Sequence, residues 1–308
     1  MVSKGGNPDD TRGIGHSEGR LIMVSAPPVR RRLLGKALRR YREALGYTLE
    51  DAARMLECDR SKMSRIETGD RGIRGKELRE LLADYGIAGE RLAILELLAD
   101  PRGAFGWYRE YDRELPGAWM DYLTLETAAS KISVYDAQRV PGLLQTPAYA
   151  RALAERNPAL NDAGARDRAV EAVGARQWAI LEDGEAEVHL IIGQAALHQQ
   201  VGSVAVMGEQ LTALAQAAAD SGSVTVQVLP FDAGGHAAAG EGSLSILQFA
   251  GVPGLGLAHL GGIGGGVCVE GQDDLGAYTG AFDQLRAFAL SPKRSALLLR
   301  GLAGDGSR

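Results

Sequence analysis

Residues 60–65, Arg-Ser-Lys-Met-Ser-Arg, crowd five hydrogen-bond donors into a stretch shorter than two helical turns. Arg60, Ser61, Lys62, Ser64 and Arg65 are side chains suited to phosphate oxygens and to the acceptor edges of purines. A merely solvated helix face usually mixes acidic residues into such a row. Here Asp59 and Glu67 stand only at its two ends. Catalytic chemistry finds less support. His16, His189, His198, His236 and His259 show no HxxH or HExxH spacing, so each is expected to be a core or surface histidine and no metal site is predicted. The glycine run 261–266 lacks GxGxxG order, no P-loop occurs, and Gly242-Ser243 is not part of a GxSxG elbow. The expectation is a protein without cofactor or enzymatic activity. Loop 230–243, PFDAGGHAAAGEGS, is where a small ligand could be gripped; its plainer reading is a flexible hairpin connector.

Two short helices must hold the donor row. Thr48 is a predicted N-cap with Asp51 three residues on to complete a capping box, a feature whose loss costs about 1 kcal/mol. Leu49, Ala52, Ala53 and Leu56 follow at helical spacing. Glu57-Cys58 makes a short connector and Asp59 caps the second helix, which buries Met63 and Ile66 and stops before Gly69. Upstream, 29–45 is a predicted helix with Leu33, Leu34, Ala37, Leu38 and Tyr41 inward. Its arginines are either phosphate clamps or solvated charge. Downstream, 76–85 and 89–99 complete five helices, and Asp100-Pro101-Arg102-Gly103 breaks the pattern.

Thr48–Gly69 resembles the helix-turn-helix of Xre or Cro/C1-type regulators of phage and bacteria, over roughly Arg30–Ala99. The resemblance implies a five-helix all-α bundle that binds double-stranded DNA. It places Arg60, Ser61, Lys62 and Arg65 at the major groove and makes Arg42 and Glu67 a structural ion pair; Ser64, Thr48, Arg39 and Arg71 are expected as further DNA-binding residues. Two positions depart from the family pattern: Leu49 stands where Gln often contacts phosphate, and Glu57 where the turn often carries Gly. A motif kept only for packing or for protein interaction is the alternative.

Length and charge fit a two-part chain. At 308 residues two domains are expected. The net charge is −5, yet residues 29–80 hold fifteen Lys or Arg against nine acidic residues, about +6, leaving about −11 elsewhere. A basic reader joined to an acidic body suits a DNA-binding protein that avoids non-specific contacts. Two distant cysteines, Cys58 and Cys268, no apolar run near the ~20 residues of a membrane span, and no signal-like N-terminus point to the cytoplasm. Residues 1–28 are expected to be a disordered arm, with Met23 or Val24 as a possible true start. The DNA-binding domain is placed at 29–100 and a C-terminal mixed α/β domain at 104–308.

In that second domain, Trp107, Tyr108, Tyr111, Trp119, Tyr122 and Tyr135 are either core or interface anchors. Thr146 caps a helix that starts at Pro147. A helix at 161–181 with Trp178 inward, strands at 187–192, 224–229, 244–249, 255–260 and 267–270, a helix at 205–219 and a final helix pair at 273–302 complete the reading. The runs 140–150, 194–211 and 224–236 resemble the large C-terminal domain, of unassigned role, of actinobacterial Xre-type regulators. These are commonly encoded beside a small partner protein in a layout likened to antitoxin and toxin pairs. The resemblance implies a repressor or antitoxin-like regulator, a homodimer with a possible small protein partner or effector. An enzyme or ligand-sensing domain targeted to DNA is the rival reading.

Overall fold

The computed structural model describes residues 27–99, 107–111, 117–220, 222–252, 254–262 and 265–305. The expected arm lies almost wholly outside them, as does the break at 100–103. In the N-terminal part, the leucine stripes fold as predicted into α1 (Val29–Ala44), α2 (Leu49–Met55), α3 (Arg60–Glu67), α4 (Gly75–Asp84) and α5 (Glu90–Ala99). Leu38, Met63, Leu78, Leu81, Leu82 and Leu95 close its core and are fully buried.

The C-terminal part comprises α6 (Gly117–Glu126), β1 (Lys131–Asp136), α7 (Pro147–Arg156), α8 (Ala163–Gln177), β2 (Glu187–Gly193), α9 (Gln194–His198), α10 (Val204–Ala219), β3 (Val224–Leu229), β4 (Ser243–Gln248), β5 (Gly256–Leu260), β6 (Val267–Val269), α11 (Gln272–Phe288) and α12 (Pro292–Asp305). Its six strands form one mixed sheet in the order β3-β2-β1-β4-β5-β6. The first three run parallel and the last three are joined by antiparallel pairings. Alternate residues divide between two cores. Ile132, Val134, Leu190 and Val228 join the larger one, with α10 and α12. Tyr135, Ile191 and Ile246 face Leu275, Phe282 and Leu285 of α11. Burial on both faces is what βαβ crossovers impose on parallel strands.

One open reading is decided here and three expectations change. Of the two readings of the aromatics, core is the one that holds for three of them. Their segment contributes α6 and β1, the strand at the middle of the sheet, and Tyr108, Tyr122 and Tyr135 are buried as core. Trp178 points outward, 59% exposed: α8 ends at Gln177, Trp178 continues its helical phase on the exposed side, and a π-helical turn runs from there to Glu182. Loop 230–243 is no hairpin connector: β3 and β4 are separated by β2 and β1, so it crosses the carboxyl end of the sheet, buries Ala238 and docks through Ala137 N–H to Gly242 O at 3.0 Å.

The last change concerns the arginines of α1. Two of them, Arg32 and Arg40, serve a third purpose, because α1 lies against the C-terminal domain. The Arg32 guanidinium pairs with the Glu270 carboxylate, Lys36 Nζ donates to Glu270 O at 2.7 Å, and Arg40 donates to Gly254 O at 2.6 Å. Phe249, Val252 and Leu255 from the β4–β5 turn join the same apolar cluster as the α1 and α5 leucines.

Candidate nucleic-acid interface

Local signals set both helices of the motif. Thr48 Oγ1 accepts the Asp51 N–H at 3.2 Å while Asp51 Oδ2 accepts the Thr48 N–H at 2.9 Å, a closed capping box. The Thr48 hydroxyl holds the Asp51 carboxyl below its ordinary range. Between the helices Glu57 adopts φ 47°, the left-handed conformation for which glycine is the usual choice. The turn closes through Cys58 N–H to Ala53 O at 2.9 Å. Asp59 Oδ1 then caps α3 by accepting the Lys62 N–H at 2.7 Å.

Behind α3 sits a brace. Arg42 donates to both oxygens of Glu67, at 2.6 and 2.9 Å, and to Tyr47 O at 2.9 Å. Both partners are buried, and the bond to Glu67 pushes the Arg42 pKa further up. Burial likewise raises the phenol of Tyr85, which stacks on Tyr47 with centroids 6.2 Å apart. Breaking one side of such a pair costs about 3–5 kcal/mol because the other charge stays buried. Gly35 permits the close fit of α1 on the end of α3: a Cβ there would lie 2.4 Å from Glu67 O and 2.6 Å from Ile66 O.

The outer face of α3 carries Arg60, Ser61 and Arg65 exposed and Ser64 half-buried. Arg60 rests on Glu50 of α2 at 2.8 Å, and Arg65 Nε donates to Ser61 O at 3.4 Å. The Arg60 pair is well exposed and is worth ~0–1 kcal/mol, so a nucleic acid can displace it easily. Arg71, also exposed, is tied in by its N–H to Arg65 O at 2.9 Å.

Lys62 lies elsewhere. Its amino group sits 2.7 Å from Glu77 Oε1 with a side chain only 17% exposed, and the same carboxylate accepts the Arg74 N–H at the start of α4. The Lys62 bond holds the Glu77 carboxyl below its ordinary range. Thr48 is occupied in the capping box. Arg39 is on α1, exposed and paired with Glu43 at 2.8 Å. Arg60, Ser61, Ser64, Arg65 and Arg71 are therefore brought together, while Lys62 and Thr48 are engaged within the protein and Arg39 stands on α1 in an ion pair about as exposed as that of Arg60. Glu50 and Glu77 went unread because each pairs between different helices, beyond any i,i+4 pattern.

Comparison with known families adds a second line. A model described as a helix-turn-helix domain matches residues 33–95, which spans the whole pair and its brace. A model described as a domain of unknown function, DUF5753, matches residues 119–301, more than half of the chain. The chain belongs to the DUF5753 family. The DUF5753 match opens at Trp119 on α6 and closes on α12, so it takes in the entire sheet. No curated protein and no solved structure matches the chain. Among the described residues, no helix is long and apolar enough to cross a membrane.

Proposed function

We propose that the protein is a sequence-specific DNA-binding transcriptional regulator of the cytoplasm. The observation that carries this reading is an exposed row of donors, Arg60, Ser61 and Arg65, on a helix held from behind by the buried Arg42–Glu67 pair. Base readout falls to Arg60, Ser61 and Arg65. Ser64 and Arg71 add backbone contacts, and Thr48 and Arg39 contribute at the edges when their present partners exchange for phosphate. Lys62 serves chiefly as a strut to α4.

The finer reading follows the sequence resemblance: an Xre-type repressor or antitoxin-like regulator, working without catalysis. One recognition helix covers few base pairs, so two copies about 34 Å apart on a palindrome give a homodimer. The acidic C-terminal domain mediates dimerisation and holds a small protein partner or effector.

Selection of bound fragments from sheared genomic DNA by the full-length protein tests this directly. The expected result is enrichment of a two-fold symmetric site with affinity that falls steeply with salt. Uniform recovery of all fragments at moderate ionic strength would refute it.

A further inference from the structure

A cavity of about 450 Å³ opens at the carboxyl end of β1. β1 is the strand at which the sheet changes sense, with parallel β2 on one side and antiparallel β4 on the other. The strand order also reverses there, running β1-β2-β3 to one side and β4-β5-β6 to the other, and in open α/β sheets the crevice outside the carboxyl ends of the strands at such a reversal of order is where ligands settle. The size also fits, since small-molecule sites run from ~300 to ~1,000 Å³.

Its lining mixes two chemistries. Leu153, Leu160 and Val173, on or beside α7 and α8, are apolar, while Asp136, Arg139, Arg176 and His259 bring charge and hydrogen-bond donors. Buried Asp136 at the end of β1 accepts the N–H groups of Gln138 and Arg139, both at 3.2 Å, and Arg139 Nε at 3.1 Å. That leaves the Arg139 terminal amino groups without a partner among the described residues, on a side chain 57% exposed. Arg176 binds Glu126 through two bonds of 2.7 Å and lies 5.3 Å from the Trp119 ring centroid. Its other amino group faces Gly142, where a Cβ would come within 2.9 Å of it. His259 Nε2 is bonded to Gly265 O at 2.7 Å and its ring packs on Trp119 and Tyr122.

We propose that this cavity is an effector site for a small amphipathic organic acid. The carboxylate lies against the Arg139 and Arg176 guanidinium groups and the apolar body against Leu153, Leu160 and Val173. Asp136 and Glu126 each occupy one edge of an arginine, so the carboxylate is held by the nitrogens they leave open, the terminal amino groups of Arg139 and the Arg176 group that faces Gly142.

The same cavity is wired to the DNA-binding part. Gly261, Gly262 and Gly265 in the β5–β6 hairpin line it. Gly266 then has no room for a side chain, because a Cβ would lie 2.2 Å from Leu260 O. After only three residues of β6, Glu270 grips Arg32 and Lys36 of α1. An occupant that moves the hairpin therefore moves the grip on α1. This second step rests on the DNA-binding reading; the binding step does not.

Calorimetric titration of the full-length protein with decanoate and indole-3-acetate, and with 1-decanol as the uncharged control, tests the site. Expected is saturable one-to-one binding of at least one carboxylate, at least ten-fold weaker in Arg139→Gln and lost in Leu153→Trp, with both variants melting as cooperatively as the parent. No saturable carboxylate binding, equal binding of 1-decanol, or an unchanged affinity in Arg139→Gln would overturn the proposal. Binding of the carboxylate that leaves affinity for a selected duplex unchanged would overturn the wiring through β6 alone. Absence of any duplex preference with binding intact would strike the DNA reading and leave the site standing.

Discussion

Arg60 and Lys62 are two residues apart on one short helix, yet their surroundings assign them different work. The exposed Arg60–Glu50 pair can open without cost to the fold, whereas Lys62 ties α3 to the start of α4. Arg60→Ala should relax sequence preference at one or two base pairs by ~1–3 kcal/mol while leaving the melting temperature in place, as a footprint beside a thermal melt would show. Gly35 makes the reverse case. It touches no nucleic acid in this reading, but a methyl group there meets the carbonyls that end α3. Gly35→Ala is expected to destabilise by ~1–3 kcal/mol in denaturant titration, and a variant as stable as the parent would show that α1 can slide away from α3.

At the level of elements, the helical pair was legible because its signals are local: a capping box, an Asx cap and two apolar stripes, all inside twenty residues. The Arg42–Glu67 brace was foreseen only through family resemblance, since nothing in a separation of 25 residues announces a contact. β1 was missed altogether. Its alternation of Ile132 and Val134 with Ser133 is too short to stand out beside the irregularly spaced aromatics, and only pairing with β2 and β4 makes it a central strand. The direction of Trp178 was equally out of reach, because nothing in composition marks Gln177 as the end of α8 or says which side of the helix the sheet will cover. The cavity draws on α6 to α8, β1, β4 and the β5–β6 hairpin, so its chemistry exists only after folding. One local departure does carry a prediction. Glu57 bears a left-handed φ that disfavours every residue with a Cβ, and Glu57→Gly is expected to raise stability by ~0.5–1 kcal/mol in equilibrium unfolding, the relief of strain outweighing the added freedom of the unfolded chain.

Across the whole molecule, proton uptake should report on the sheet. His189 and His259 are buried, and burial pushes both imidazoles below their ordinary 6.5. The unfolded chain therefore takes up protons near 6.5 that the folded chain refuses until lower pH, so stability is full above that value and declines as pH falls through it. Scanning calorimetry from about pH 7.5 to about pH 5.5 should show a falling Tm, less steep in His189→Gln; a flat profile would mean that the imidazoles gain water or partners on protonation. Strand order has a further consequence for synthesis. β3, at one rim of the sheet, is finished by chain that follows it at a distance: Leu290 N–H donates to Val228 O and Ser295 Oγ accepts the Val228 N–H. A ribosome that has released α1 to α5 has delivered a bundle of short-range contacts able to collapse at once. The sheet must wait, its oldest strand at the centre and one margin unsealed, until α12 clears the exit tunnel.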